Sequence, residues 1–189
     1  IGNMEETIKY YEKALELNPD NDSIYLELGR MYYKRNNYSR AIQLFKKGIE
    51  SRPNFVPLRF ELAQAYYANK DYSKAIDEFE KVIEKNKHYH RAYFYIGEIH
   101  YKNGNYNQAI NMFNECVEVN PDYAKAYINL GNIYLEQENY YKAVSHFSTA
   151  IEKNEKNPAA HYHLARAYKK LDMTEAAIAE LKRTLHLDT

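Results

Sequence analysis

Asp22-Ser23-Ile24-Tyr25-Leu26-Glu27-Leu28-Gly29-Arg30-Met31-Tyr32-Tyr33 opens the stretch that decides the fold, which runs on to Pro53-Asn54-Phe55. Tyr25, Leu28, Gly29 and Tyr32 follow the i, i+3, i+4, i+7 spacing of one helix face. Asn36-Asn37 interrupts that pattern with two turn-forming residues. Tyr38, Ala41, Ile42, Phe45 and Ile49 then make a second helical stripe. It stops at Arg52-Pro53, because proline lacks an N–H and clashes with the preceding turn. The stretch predicts two antiparallel helices, each of about three to four turns, joined by a short turn.

Outward from this unit, the same columns return every 34 residues. Tyr32 is followed by Tyr66, His100, Tyr134 and Tyr168; Ala41 by Ala75, Ala109, Ala143 and Ala177; Phe45 by Phe79, Phe113, Phe147 and Leu181. A fixed period with no insertion means a stack of like units, not one closed core. The register predicts a half repeat over 1–21, with one helix at 3–18, and then repeats 22–55, 56–89, 90–123, 124–157 and 158–189. The whole chain is expected to be one elongated domain of eleven helices. Small residues in the column Gly29, Ala63, Gly97, Gly131 and Ala165 mark close helix approach. Glycine costs a helix roughly 1 kcal/mol against alanine, so close approach must outweigh that cost.

The quoted unit resembles the tetratricopeptide repeat, with signature W-x2-L-G-x2-Y, A-x3-F and P. Tyr25, Leu28, Gly29, Tyr32, Ala41, Phe45 and Pro53 carry the match. Tyr93, Ile96, Gly97, Ala109, Phe113 and Pro121 repeat it, as do Tyr127, Leu130, Gly131, Tyr134, Ala143 and Phe147. Arg59 and His161 replace the large aromatic in two units, where looser packing is expected. The resemblance implies an all-α, right-handed superhelical solenoid of antiparallel helix pairs, with the first helix of each pair on a concave face.

Composition restricts the partners. The net charge is zero, with 26 Lys plus Arg against 26 Asp plus Glu. That argues against a nucleic-acid binder or a polybasic membrane-surface module. No apolar run is long enough to span a membrane. The single cysteine, Cys116, excludes an internal disulfide and is compatible with a reducing compartment such as the cytoplasm. Its column holds Ala14, Gly48, Val82, Ala150 and Thr184, so it is expected as a small buried filler.

No phosphate loop, dinucleotide fingerprint, H-E-x-x-H or nucleophile elbow is present. His88 with His90 and His161 with His163 are two apart, whereas a helical metal pair wants spacing of three or four. No metal, cofactor or enzymatic activity is expected. His100 stands in a packing column and is expected to be a hydrogen-bonded interior residue.

The resemblance places the candidate binding residues on the concave face: Arg30, Tyr33, Phe60, Gln64, Tyr67, Arg91, Phe94, Tyr95, Tyr101, Lys125, Asn129, Asn132, Tyr162 and Arg166. Aromatics rimmed by hydrogen-bonding side chains suit a peptide surface. The face carries eight cations, including Arg30, Lys34, Lys102, Lys169 and Lys170, against Glu27, Glu61, Glu98 and Glu136. An acidic segment or a terminal carboxylate is the expected partner. The lysine–asparagine set of chaperone-tail binders is not matched over three consecutive pairs. The asparagine ladder of N-acetylglucosamine transferases is represented by Asn129 and Asn132 alone.

The expected function is a protein-interaction scaffold. The alternatives are a regulatory or substrate-recruiting segment of a larger enzyme, such as a glycosyltransferase, and a self-assembly scaffold. The chain begins at Ile1 and reads as a piece of a longer protein. Helix 3–18 lacks the partner that should precede it, so an apolar patch is expected at Ile8, Tyr11 and Leu15, with weak self-association through the termini. Residues 1–21 hold five acids against two lysines, and 158–189 five cations against four acids, which mildly favours head-to-tail contact.

Overall fold

The computed structural model describes residues 2–19 and 21–187. Ile1, Asp20, Asp188 and Thr189, which belong to the first and last expected units, lie outside the described residues. Among the described residues there are eleven α-helices and no strand. They are α1 (Gly2–Leu17), α2 (Asp22–Lys34), α3 (Tyr38–Ser51), α4 (Val56–Ala68), α5 (Tyr72–Lys85), α6 (His90–Lys102), α7 (Tyr106–Val119), α8 (Ala124–Glu136), α9 (Tyr140–Lys153), α10 (Pro158–Lys170) and α11 (Thr174–Leu187). The fold is an all-α helical repeat array. It divides within α6 into two compact units, one up to Ala92 and one from Tyr93.

In the first unit α2 packs on α3 and α4 on α5; in the second, α8 packs on α9 and α10 on α11. First helices also touch each other, α2 with α4 and α8 with α10. Each unit therefore presents a face built from first helices.

The turn inside each pair is the same device five times. Asn36, Lys70, Gly104, Glu138 and Asp172 all have positive φ, from 57° to 75°. The next residue's N–H then reaches back to the carbonyl five residues earlier, Asn37 to Tyr32 at 2.9 Å and Asn139 to Tyr134 at 2.8 Å. That bond satisfies a carbonyl the helix end would otherwise orphan. Only Gly104 takes this conformation without steric cost. Two second helices, α3 and α9, start on asparagine caps, Asn37 accepting from the Arg40 N–H and Asn139 from the Lys142 N–H.

The small-residue column works by direct contact. A Cβ on Gly131 would sit 2.5 Å from the Phe147 ring, and one on Gly29 would sit 2.3 Å from Phe45. Phe45, Phe79, Phe113 and Phe147 are fully buried. Cys116 is buried too, and burial pushes its thiol up to about 12.

Three expectations fail. Arg59 and His161 do not loosen the packing. Arg59 Nη1 lies 2.7 Å from Glu78 Oε2, and His161 Nδ1 lies 2.6 Å from Glu180 Oε2. Both carboxylates stand nineteen residues after their partner. The same two columns hold Tyr25 with Leu44 in one core cluster, and Tyr127 stacked on His146. The apolar patch on α1 is the second correction. Ile8, Tyr11 and Leu15 pack against Tyr25, Leu28 and Leu44, because α2 and α3 cover that side; Tyr10 and Leu17 are the exposed residues. Finally, His100 is not fully hydrogen-bonded, since its buried Nδ1 has no partner among the described residues.

Candidate functional site

The first-helix face of the second unit carries a cleft of about 300 Å3. Tyr101 of α6, Asn132 and Glu136 of α8, and His163, Arg166 and Lys170 of α10 line it, over the apolar side chain of Leu135. Three of the expected residues, Tyr101, Asn132 and Arg166, are thus brought together. Glu136 and Lys170, expected among the charges of that face, and His163 complete the lining, although none of the three was a candidate binding residue.

Glu136 is held from both sides. The Tyr101 hydroxyl donates to Oε1 and the Tyr106 hydroxyl to Oε2, each at 2.5 Å. Burial and then the Glu136 carboxylate raise the Tyr101 phenol above its ordinary range. The hydrogen bond to Glu136 is the main cause of the rise at Tyr106. His163 stacks on the buried ring of Phe147 at 5.5 Å. Burial first, then the Arg166 charge, lowers its pKa, so the ring is neutral at pH 7. An Arg166 N–H points at Nδ1 across 3.4 Å. Arg166 also lies 6.0 Å from the ring centre of Tyr162, which is exposed.

A smaller hollow of about 140 Å3 on the same unit is lined by Phe94, Glu98, Lys125, Ile128 and Asn129. Phe94 is 6 % exposed, packed on Phe113 and edge-on to Tyr123 at 5.1 Å. It forms a wall of this hollow rather than a free anchor. Tyr95 is half-buried and meets Phe94 edge-on.

In the first unit the expected residues are more heavily engaged. Phe60 is 2 % exposed, covered by Phe79 and by Tyr89 at 4.7 Å, with the Arg91 guanidinium 4.7 Å from its centre. Phe60 and Phe94, candidate binding residues of the concave face, are therefore buried packing residues. Arg30 bridges Glu61 at 2.7 Å and Glu27 at 3.0 Å, so its charge is compensated. Tyr33 and Tyr67 are half-buried against Tyr38 and Tyr72, at 5.3 and 5.8 Å. Tyr101 and Tyr106 repeat that contact across the turn at 5.9 Å. Gln64 is half-buried and Arg91 exposed.

A family model described as the tetratricopeptide repeat protein 21 C-terminal ARM domain matches residues 34–188, and a tetratricopeptide repeat model matches 2–54. The chain belongs to the tetratricopeptide repeat family. Among solved structures, that of MamA is 27% identical with a TM-score of 0.76, covering 82% of this chain and 91% of that one. YrrB, described as a TPR protein with an unusual peptide-binding site, is 20% identical with a TM-score of 0.68, covering 94% and 91%. The Pseudomonas aeruginosa PilF structure is 20% identical with a TM-score of 0.79, covering 87% and 75%. The likeness to the last two shows the fold alone. No curated protein matches the chain significantly in sequence. As a tetratricopeptide array the chain is of the scaffold type. Among the described residues no helix is long and apolar enough to cross a membrane.

Proposed function

We propose that this scaffold captures a segment of a partner protein on its first-helix face, and that the segment carries acidic side chains. The observation that carries the reading is the cleft of the second unit. Aromatic, amide and cationic side chains from three first helices converge there on a hollow sized for one or two side chains. Lys125 beside Asn129 extends the cationic character along the same unit. Peptide capture is also what the YrrB description names for a protein of this fold.

The test is a calorimetric titration of a partner segment recovered by pull-down and mass spectrometry. Arg166→Glu and Lys125→Glu should weaken binding and flatten its salt dependence, because exposed charges act mainly on association. Lys46→Ala and Lys74→Ala, on second helices, should leave affinity unchanged. Both lysines lie over the Tyr66 ring, at 5.8 and 5.6 Å, so thermal melts must accompany them. Equal loss in both sets at equal stability would remove the first-helix face as the binding surface.

A second reading, self-association, is favoured by α11. Ile178, Leu181 and Leu185 are exposed there, one helix face at i, i+3, i+7. Thirty-four residues earlier, Val144, Phe147 and Ile151 belong to the cluster that packs against α10. An uncovered face of this kind attracts another surface. Sedimentation showing a strict monomer at high concentration would exclude it.

A further inference from the structure

The lining of the cleft between α6, α8 and α10 is chemically one-sided. Its acid, Glu136, already accepts a hydroxyl proton on each carboxylate oxygen. Its potential donors are uncommitted. Lys170 and the Asn132 amide have no hydrogen bond or ion pair among the described residues, and Arg166, besides lying 6.0 Å from the Tyr162 ring centre, makes only the long hydrogen-bond contact to His163. Two cations and an amide N–H2 therefore face a hollow whose one carboxylate already accepts a hydrogen bond on each oxygen. Such a site favours a negatively charged oxygen group over a neutral or cationic one.

His163 adds a coupling. While Arg166 donates toward Nδ1, that nitrogen must be unprotonated, and the ring is neutral. An anion in the cleft would compete for the guanidinium. It would also release Nδ1 to bind a proton and become a donor itself. The groups around the ring are Tyr101 from α6, Glu136 from α8, Phe147 from α9, and Tyr162, edge-on at 5.6 Å, with Arg166 and Lys170 on its own helix. The two cations oppose protonation of the empty site; an anion between them and the ring reverses that balance.

The geometry points to this cleft as a subsite for one anionic side chain of the captured segment, phosphorylated or carboxylate, with His163 taking a proton from solvent as the anion enters. The inference rests on the peptide-capture reading but can be tested without a peptide. Sulfate supplies a tetrahedral dianion whose charge is constant from pH 5 to 8, and acetate supplies a planar carboxylate. Each is titrated into the whole chain at constant ionic strength, with the His163 ring followed by NMR. Sulfate should move the His163 titration upward, and binding should tighten severalfold from pH 7.5 to 5.5. Arg166→Gln with Lys170→Gln should weaken it at least tenfold. These residues are exposed, so folding should survive. His163→Asn should retain binding at pH 7.5 and lose the pH dependence.

A response to sulfate alone would indicate a phosphorylated residue as the ligand, and a response to both ions an acidic one. Sulfate that leaves the His163 ring unmoved, or binds the double variant as well as the parent, overturns the subsite. The two readings fail separately. A peptide that binds the double variant unchanged removes the subsite and leaves capture standing. Sulfate bound in the cleft, with no peptide held on the first-helix face, does the reverse.

Discussion

Removing Glu78 should cost this chain far more than its surface position in a helical wheel suggests. Glu78 is 13 % exposed and Arg59 17 %, and their charged atoms are 2.7 Å apart. Arg59 has one further acceptor, the Pro53 carbonyl at 3.2 Å. Glu78→Leu would leave the guanidinium half-satisfied in a mostly dry setting. Breaking a fully buried pair costs about 3–5 kcal/mol, and an exposed one about 0–1. Residual solvent screening places this variant between them, at about 2 kcal/mol. Arg59→Tyr added to Glu78→Leu installs the pair that stands at Tyr25 and Leu44. The double variant should return to within about 1 kcal/mol of the parent, since apolar replacement of a buried pair is often neutral. Urea denaturation of the four proteins of the cycle gives the coupling. Amide exchange in α4 and α5 should accompany it, because repeat arrays can unfold in parts. Additivity of the two changes within about 0.5 kcal/mol would refute the claim that they act as a pair.

Three further outcomes follow from the packing. Gly131→Leu should overpack the contact with Phe147 and destabilise by roughly 1–3 kcal/mol or more, read as a shift in the denaturation midpoint. Lys70→Gly should stabilise by up to about 1 kcal/mol, because glycine relieves a φ of 65° that lysine adopts at a cost; a lower thermal midpoint would contradict that. The Cys116 thiol, raised to about 12 by burial, should resist alkylation at pH 8 until the chain unfolds, as mass spectrometry of an iodoacetamide time course would report.

The fold was open to reading because period, small residues and turns all point one way. Gly29, Gly97 and Gly131 each meet the phenylalanine sixteen residues later, at the spacing the columns provide. The site was only partly legible. Leu26, Phe60, Phe94, Ile128 and Tyr162 share one column, yet exposure rises from 2 % at Phe60 to 46 % at Tyr162. The difference comes from what lies across from them. Tyr89 covers Phe60 and Tyr123 covers Phe94, and these belong to the loop before the next pair. Register alone does not show which aromatics a neighbour will cover. Glu136 was counted only as one of the acids of that face for a similar reason. Its environment depends on Tyr101 and Tyr106, about one repeat earlier, and counting charges by column could not show that two hydroxyls hold it. The Arg59–Glu78 and His161–Glu180 pairs did leave a trace. In both repeats a cation-forming residue replaces the aromatic, and an acid appears nineteen residues on. Comparing the two columns against each other would have found them.

The most direct test of peptide capture is a hydrogen–deuterium exchange footprint of a peptide selected against the chain from a random displayed library. Peptide capture should add protection along α8 and α10, around Asn132, Glu136, Arg166 and Lys170, with α9 and α11 unchanged. Protection confined to α9 or α11, with the first helices exchanging as in the free chain, would contradict it.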